Sequence, residues 1–262
     1  MTTLRVTHVG GPTVLLEFDG WRLLTDPTFD PPGRRYRFGW GTSSRKVTGP
    51  AIDAADVGPL DAVLLTHDHH ADNLDDVGRR VLLESGAPVL TTEAGARRLG
   101  APAHGLAPWG VTTLQRDGSP TITVTATPCR HGPPGSHPIV GDVVGFGLRW
   151  EGQEHGPLWI TGDTVLYDDV RRVPGRLGPG TVLVHLGGVR FPITGPLRYT
   201  MTAADAAELL TASPATTIVP VHYEGWSHFQ GDQAGSRATF DAAGLGARVR
   251  WATPGDALEL DC

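Results

Sequence analysis

Cysteine and lysine are almost missing from this chain: Cys129, Cys262 and Lys46 are all there are in 262 residues. Two cysteines cannot build a disulfide scaffold, and a chain of this length can bury a core without one. They also exclude a structural zinc of the finger type, which takes paired cysteines. Runs of basic residues are absent too, and the formal net charge is -6. Nucleic-acid binders concentrate Lys and Arg on one face to neutralise phosphates, so a nucleic-acid partner is not expected. The local patch Arg34-Arg35-Tyr36-Arg37 reads as a solvated loop, and the lone lysine carries no functional reading. No apolar stretch approaches the roughly 20 residues of a membrane helix. The start, Met1 to Val6, lacks the basic-then-apolar pattern of a secretion signal, so a cytoplasmic location is expected.

What is present is globular. Hydrophobic residues make up 39% and charged residues 19%, too apolar for wholesale disorder. The 35 glycines and 22 prolines are spread along the chain and mark turns between short elements. Strands are expected at Leu4 to Val9, Thr13 to Phe18 and Trp21 to Thr25, with Asp19-Gly20 as a hairpin turn. A Pro-, Gly- and Arg-rich loop from Asp30 to about Pro50 reads as a rim or lid without regular structure. Ala62 to Leu65 is a buried strand, Leu74 to Ser85 a helix, Pro88 to Thr91 a strand and Glu93 to Leu99 a short helix. Further strands are expected at 110–115, 121–127, 143–150, 158–161, 182–186 and 217–221. Helices are expected at Ala203 to Thr211, opened by a Thr202/Asp205 capping box, and around Asp232 to Ala243. No stretch reads as a linker, so residues 1–262 are expected to form one domain of two similar halves.

Metal-ligand side chains follow directly on these apolar strands. His67-Asp68-His69-His70-Ala71-Asp72 comes after Val63-Leu64-Leu65, and His131 after the 121–127 run. Asp163 follows Leu158 to Thr161, and His222 follows Ile218 to Val221. A strand end holds a side chain rigidly while the loop beyond exposes it. Neutral imidazole and carboxylate suit zinc above all, with manganese or iron admissible. A bound divalent cation brings the pKa of its water to roughly 7, which favours hydrolysis at neutral pH.

This ordered set resembles the metallo-β-lactamase superfamily, whose loop reads His-x-His-x-Asp-His and is followed by a lone His, a lone Asp and a last His. The early Leu24-Thr25-Asp26-Pro27 is similar to its first motif, where the aspartate supports the site. Within the superfamily the pattern is similar to the ascorbate-phosphate lactonase and N-acyl-phosphatidylethanolamine phospholipase branches. The resemblance implies an α/β, four-layer αββα sandwich with the site at one edge of the sheets. It also implies one or two ions, with His67, His69 and His131 at one, Asp163 bridging, and Asp72 and His222 at the other. The chain departs from the pattern by one inserted residue. His69 and His70 are therefore both candidates for the second histidine, with His69 favoured by its spacing from His67, and Asn73 stands where the last histidine of the loop belongs.

Other residues add expectations. Asp72 is a candidate to orient the attacking water or accept its proton, and His228 or Tyr223 to protonate the leaving group. Glu224 lies in the same stretch, and His185, at a strand end, is a candidate substrate contact. Trp40 and Trp226 read as packing residues. The expected function is metal-dependent hydrolysis of a small ester, lactone or phosphodiester, with a small molecule as partner and a homo-oligomer allowed. The alternatives are a metallo-nuclease of the RNA-processing type and a non-catalytic metal- or ligand-binding protein that keeps the fold.

Overall fold

The computed structural model describes residues 2–213 and 216–262. Its first half contains β1 (Thr3–Gly10), β2 (Thr13–Phe18), β3 (Trp21–Thr25), β4 (Arg35–Gly39), β5 (Thr42–Arg45), β6 (Ala62–Leu64), α1 (Asp76–Ser85), β7 (Val89–Thr92), α2 (Glu93–Leu99) and β8 (Ala103–Leu106). Then come β9 (Val111–Leu114), β10 (Ile122–Pro128), α3 (His137–Val140), β11 (Val144–Arg149), β12 (Leu158–Ile160) and α4 (Asp168–Leu177). The chain closes with β13 (Thr181–His185), α5 (Ala203–Thr211), β14 (Thr217–Val221), α6 (Gln233–Ala242) and β15 (Ala257–Asp261).

The strands form two large sheets, ordered β15-β1-β2-β3-β6-β7-β8 and β14-β13-β12-β11-β10-β9. Their inner faces share one core, in which Leu4, Leu16 and Leu64 of the first sheet meet Ile122, Phe146 and Ile160 of the second. The outer face of the second sheet is covered by α4, α5 and α6, through Val170, Val173, Leu210 and Phe240 against Trp159 and Val182. Leu82 of α1 and Leu99 of α2 cover Val63 and Val89 on the outer face of the first. Helix, sheet, sheet, helix is the αββα order expected. β6 and β12 to β14 lie between layers on both sides, which is why they read as unbroken apolar runs.

Strand direction decides where the site can be. β3 and β6 are parallel neighbours, as are β12, β13 and β14. β10 runs antiparallel to β11, and β11 antiparallel to β12, so β10 points the same way as β12. Residues just past the carboxyl ends of these strands gather at one edge, as ligand sites do in sheets of this kind. Among the described residues no helix is long and apolar enough to cross a membrane.

Several elements differ from expectation. The segment 30–50 is not irregular: β4 and β5 form an antiparallel hairpin. The supposed solvated patch is its first strand, with Tyr36 and Phe38 buried between exposed Arg35, Arg37 and Gly39. α1 starts at Asp76 rather than Leu74, because the Asp75 side chain caps it by accepting from the Gly78 amide. α4 was masked by Pro174 inside it, and β15, which pairs with β1, lies beyond any strong period-2 signal.

Gly78 tests how tightly α1 is seated. A Cβ there would lie 1.8 Å from the Pro27 carbonyl oxygen. Helix propensity alone would make Gly78→Ala stabilising by about 1 kcal/mol. The contact reverses that sign, so the urea midpoint of the variant is expected below that of the wild type. An unchanged or raised midpoint would contradict this seating.

Candidate metal centre

The side chains at this edge form two groups. His67, past β6, meets His70 and His131, the latter past β10: His67 Nε2 lies 3.2 Å and His131 Nε2 3.1 Å from His70 Nδ1. Asp72, Asp163 past β12 and His222 past β14 form the second group. There His222 Nε2 is 3.6 Å from Asp72 Oδ2, and His222 Nδ1 is 3.3 Å from Asp163 Oδ1. All six residues are buried. In each group the potential ligand atoms lie within 4.8 Å of one another.

Hydrogen bonds of His131, His67 and His222 to groups outside the cluster set their tautomers. His131 Nδ1 donates to the Tyr199 carbonyl at 2.7 Å, leaving Nε2 with its lone pair toward the cluster. Asp26 accepts from the Thr66 amide at 2.7 Å and from its hydroxyl at 3.0 Å. With that hydroxyl proton committed, Thr66 Oγ1 accepts from His67 Nδ1 at 3.0 Å and turns His67 Nε2 inward as an acceptor. His222 Nδ1 donates to the Leu186 carbonyl at 3.3 Å. Two of the positions are held in left-handed backbone, Asp26 at φ 32° and His222 at φ 56°. Non-glycine residues adopt that region at a cost of about 1–3 kcal/mol, and such strain collects at functional sites. The His222 amide is tied to the Gly11 carbonyl of the opposite sheet at 2.8 Å, which holds the turn.

Electrostatics decides whether a cation fits. Burial, reinforced by the neighbouring rings, holds His67 and His70 well below the ordinary imidazole range, and burial lowers His131 to about 4. All three are therefore neutral donors near pH 7. Burial raises Asp26 to about 7 against its bonds to Thr66, and it also raises Asp163. Burial opposes charge on His222 as well, but Asp163 and Asp72 outweigh it and hold the imidazolium up. Neither oxygen of Asp163 has a hydrogen-bond partner, nor do Asp72 Oδ1 and His222 Nε2. Buried carboxylate oxygens without donors are costly by several kcal/mol unless a cation compensates them. Imidazole and carboxylate oxygen are the donor set of zinc, iron and manganese. The residues fit a divalent metal.

The structure sorts the remaining candidates. The structure brings His70, rather than the favoured His69, together with His67 and His131, while His69 Nε2 donates to the Val140 carbonyl. The insertion is absorbed by anchoring Asp68 to Arg98, whose Nε donates to its carboxylate at 2.8 Å. Asn73 is fully buried and its Nδ2 donates to Thr66 Oγ1 at 3.4 Å, so it braces the loop. His185 is buried, with Nε2 3.5 Å from Asp26 Oδ2, and is not among the residues lining the pocket. Tyr223 packs on Trp251, and Glu224 accepts from the Gly11 amide, so neither lines the pocket. His228 does line it, with Nε2 3.1 Å from Asp72 Oδ2. Trp226 is packed as expected, but Trp40 stands 75% exposed at the rim.

Sequence reasoning missed the hairpin's part in this. Phe38 sits with its ring centre 5.4 Å from those of His70 and His228. Ser44 bonds His228 Nδ1 at 2.5 Å, and Lys46 pairs with Asp75 at 2.8 Å, fixing the hairpin to the metal loop. The alternation Arg35-Tyr36-Arg37-Phe38 was the available signal.

Residues 21–223 match the model of the beta-lactamase superfamily domain. The chain belongs to the beta-lactamase superfamily. A relative from Methanoregula boonei, a metal-dependent hydrolase, is 28% identical over 76% of this chain and 82% of its own length. Of solved structures in the superfamily fold, the isothiocyanate hydrolase from Delia radicum gut bacteria superposes with a TM-score of 0.82 at 20% identity, covering 98% of this chain and 99% of that one. A diiron β-hydroxylase from Streptomyces venezuelae gives 0.66 at 17% identity, over all of this chain and 54% of that one. Within the superfamily this chain is a metal-dependent hydrolase.

The exchange of His69 for His70 is directly testable. His70→Ala is expected to lower metal content per chain after dialysis, by roughly the 10- to 100-fold affinity loss typical of a disturbed metal shell. His69→Ala is expected to keep it. Elemental analysis giving the opposite pattern would reinstate His69.

Proposed function

We propose that the protein hydrolyses a small ester, lactone or phosphodiester at a centre of two ions, zinc being the first choice. The observation that carries this is the pair of donor groups, three neutral imidazoles beside two carboxylates and a histidine, reached by one pocket through His70, His131 and Asp72. His67, His70 and His131 would hold one ion, and Asp72, Asp163 and His222 the other. Iron and manganese suit the same donors, and the diiron β-hydroxylase holds iron on this fold. A divalent cation bound there acidifies water and polarises the bond to be cleaved.

The chain's own groups do the rest. Asp72 faces the pocket with Oδ1 free of hydrogen bonds, placed to accept a proton from the attacking water. His228 steadies the other oxygen and, on the pocket wall, returns a proton to the leaving group. Asp26, Thr66 and the Tyr199 carbonyl keep the rings turned inward. The small pocket and the net charge of -6 disfavour an RNA substrate.

Two variants test the proposal. His67→Ala and Asp163→Ala are each expected to cut turnover by about 100-fold or more, since the three-ligand shells are broken. Far-UV circular dichroism should be unchanged. The panel comprises nitrophenyl esters, lactones, bis-nitrophenyl phosphate and an isothiocyanate, the last because of the structural neighbour named above. Wild-type rates in both variants would overturn the proposal.

A further inference from the structure

The pocket above the two donor groups is selective in what it lacks. Phe38, Ile139, Val140, Val189, Phe191 and Tyr199 form its walls, and among its described lining residues there is no arginine or lysine. The chain is not short of cations, having 22 basic residues, all but Lys46 of them arginine. They gather elsewhere, as in the open cleft lined by Arg5, Arg22 and Arg116. Besides the Tyr199 phenol, the titratable side chains lining the pocket are Asp72, His70, His131 and His228. His228 lies flat against Phe191, with 5.3 Å between ring centres and 9° between planes, so even that polar ring continues an aromatic surface.

The mouth has the same character. Trp40 at the hairpin tip is 75% exposed and Ile193 66% exposed. A Cβ on Gly41, next to Trp40, would come within 3.2 Å of Ile193 Cδ1, so the two loops meet beside the opening. Large apolar side chains left in water at the entrance of a cavity mark a binding surface. The space beneath is tight, about 30 Å3, so the apolar part of a substrate rests in part on the mouth.

We infer that the pocket selects substrates whose non-reacting part is uncharged and apolar, an aryl or alkyl group resting against the paired rings of Phe38 and Phe191, and that it discriminates against anionic ones. A negative group on these walls would lose its hydration with no guanidinium or ammonium to replace it. Arginine is what sites built for phosphate or carboxylate provide, and here it is withheld. This deepens the hydrolase reading and rests on it, since it narrows the proposed esters, lactones and phosphodiesters to neutral esters and lactones.

The test uses zinc-loaded full-length protein and two probes of nearly equal shape, 4-(methylsulfonyl)benzyl alcohol and 4-(hydroxymethyl)benzenesulfonate, which differ in charge. Calorimetry is expected to show the neutral probe binding about tenfold tighter or more. Trp40→Arg, a change at an exposed rim position, is expected to narrow that ratio by adding the missing cation. Equal binding, or tighter binding of the sulfonate to the wild type, would overturn the inference. Turnover of the acetate esters of the two probes, 4-(methylsulfonyl)benzyl acetate and 4-(acetoxymethyl)benzenesulfonate, is followed on the same sample. If neither acetate is cleaved while the binding preference persists, the hydrolase reading falls and the charge selectivity of the pocket stands. If both are cleaved with equal kcat/KM, the selectivity falls and the hydrolase reading stands.

Discussion

Asp26, Asp72 and Asp163 are buried together at one edge of the sandwich, and none of them has a lysine or arginine as partner. The only lysine is committed to Asp75. Removing several carboxylates from water costs several kcal/mol each unless opposite charge comes with them. His222 answers part of this demand, and the imidazoles of His67, His70 and His131 are kept neutral by burial. A divalent cation is the compensating charge that such an arrangement calls for. The tautomers, the strained backbone and the hairpin over the site all serve to keep these groups convergent.

Convergence is a matter of topology before it is one of side chains. Parallel pairing of β3 with β6 and of β12, β13 and β14 sends their carboxyl ends to the same edge, and each end carries one polar residue after an apolar run. The core between the sheets sets the distance across which those residues face each other. Fine placement comes from backbone that the sheets force into the left-handed region at Asp26 and His222. Threonine hydroxyls support the first of these turns: Thr13 Oγ1 donates to the Asp26 carbonyl at 2.6 Å, and Thr66 holds its carboxylate.

The architecture was legible because its signals are local and repeated. Apolar runs ended by His or Asp located β6, β10, β12 and β14, and the capping pair Thr202 and Asp205 located α5 where it is. The choice between His69 and His70 was not legible. Spacing from a strand end cannot say which of two adjacent imidazoles turns inward once a residue is inserted. That depends on Val140, 71 residues away from His69, and on the Arg98 anchor of Asp68. The hairpin β4–β5 was hidden by its glycines and arginines, although its alternation was present. His185 shows that a histidine at a strand end can face the buried side of the site as readily as the open one.

Anomalous diffraction from crystals grown with zinc, recorded on both sides of the zinc edge, tests the central claim most directly. The account predicts one peak within bonding distance of His67, His70 and His131, and a second among Asp72, Asp163 and His222. A map without a peak at either group, or with its ion on His69, would contradict it.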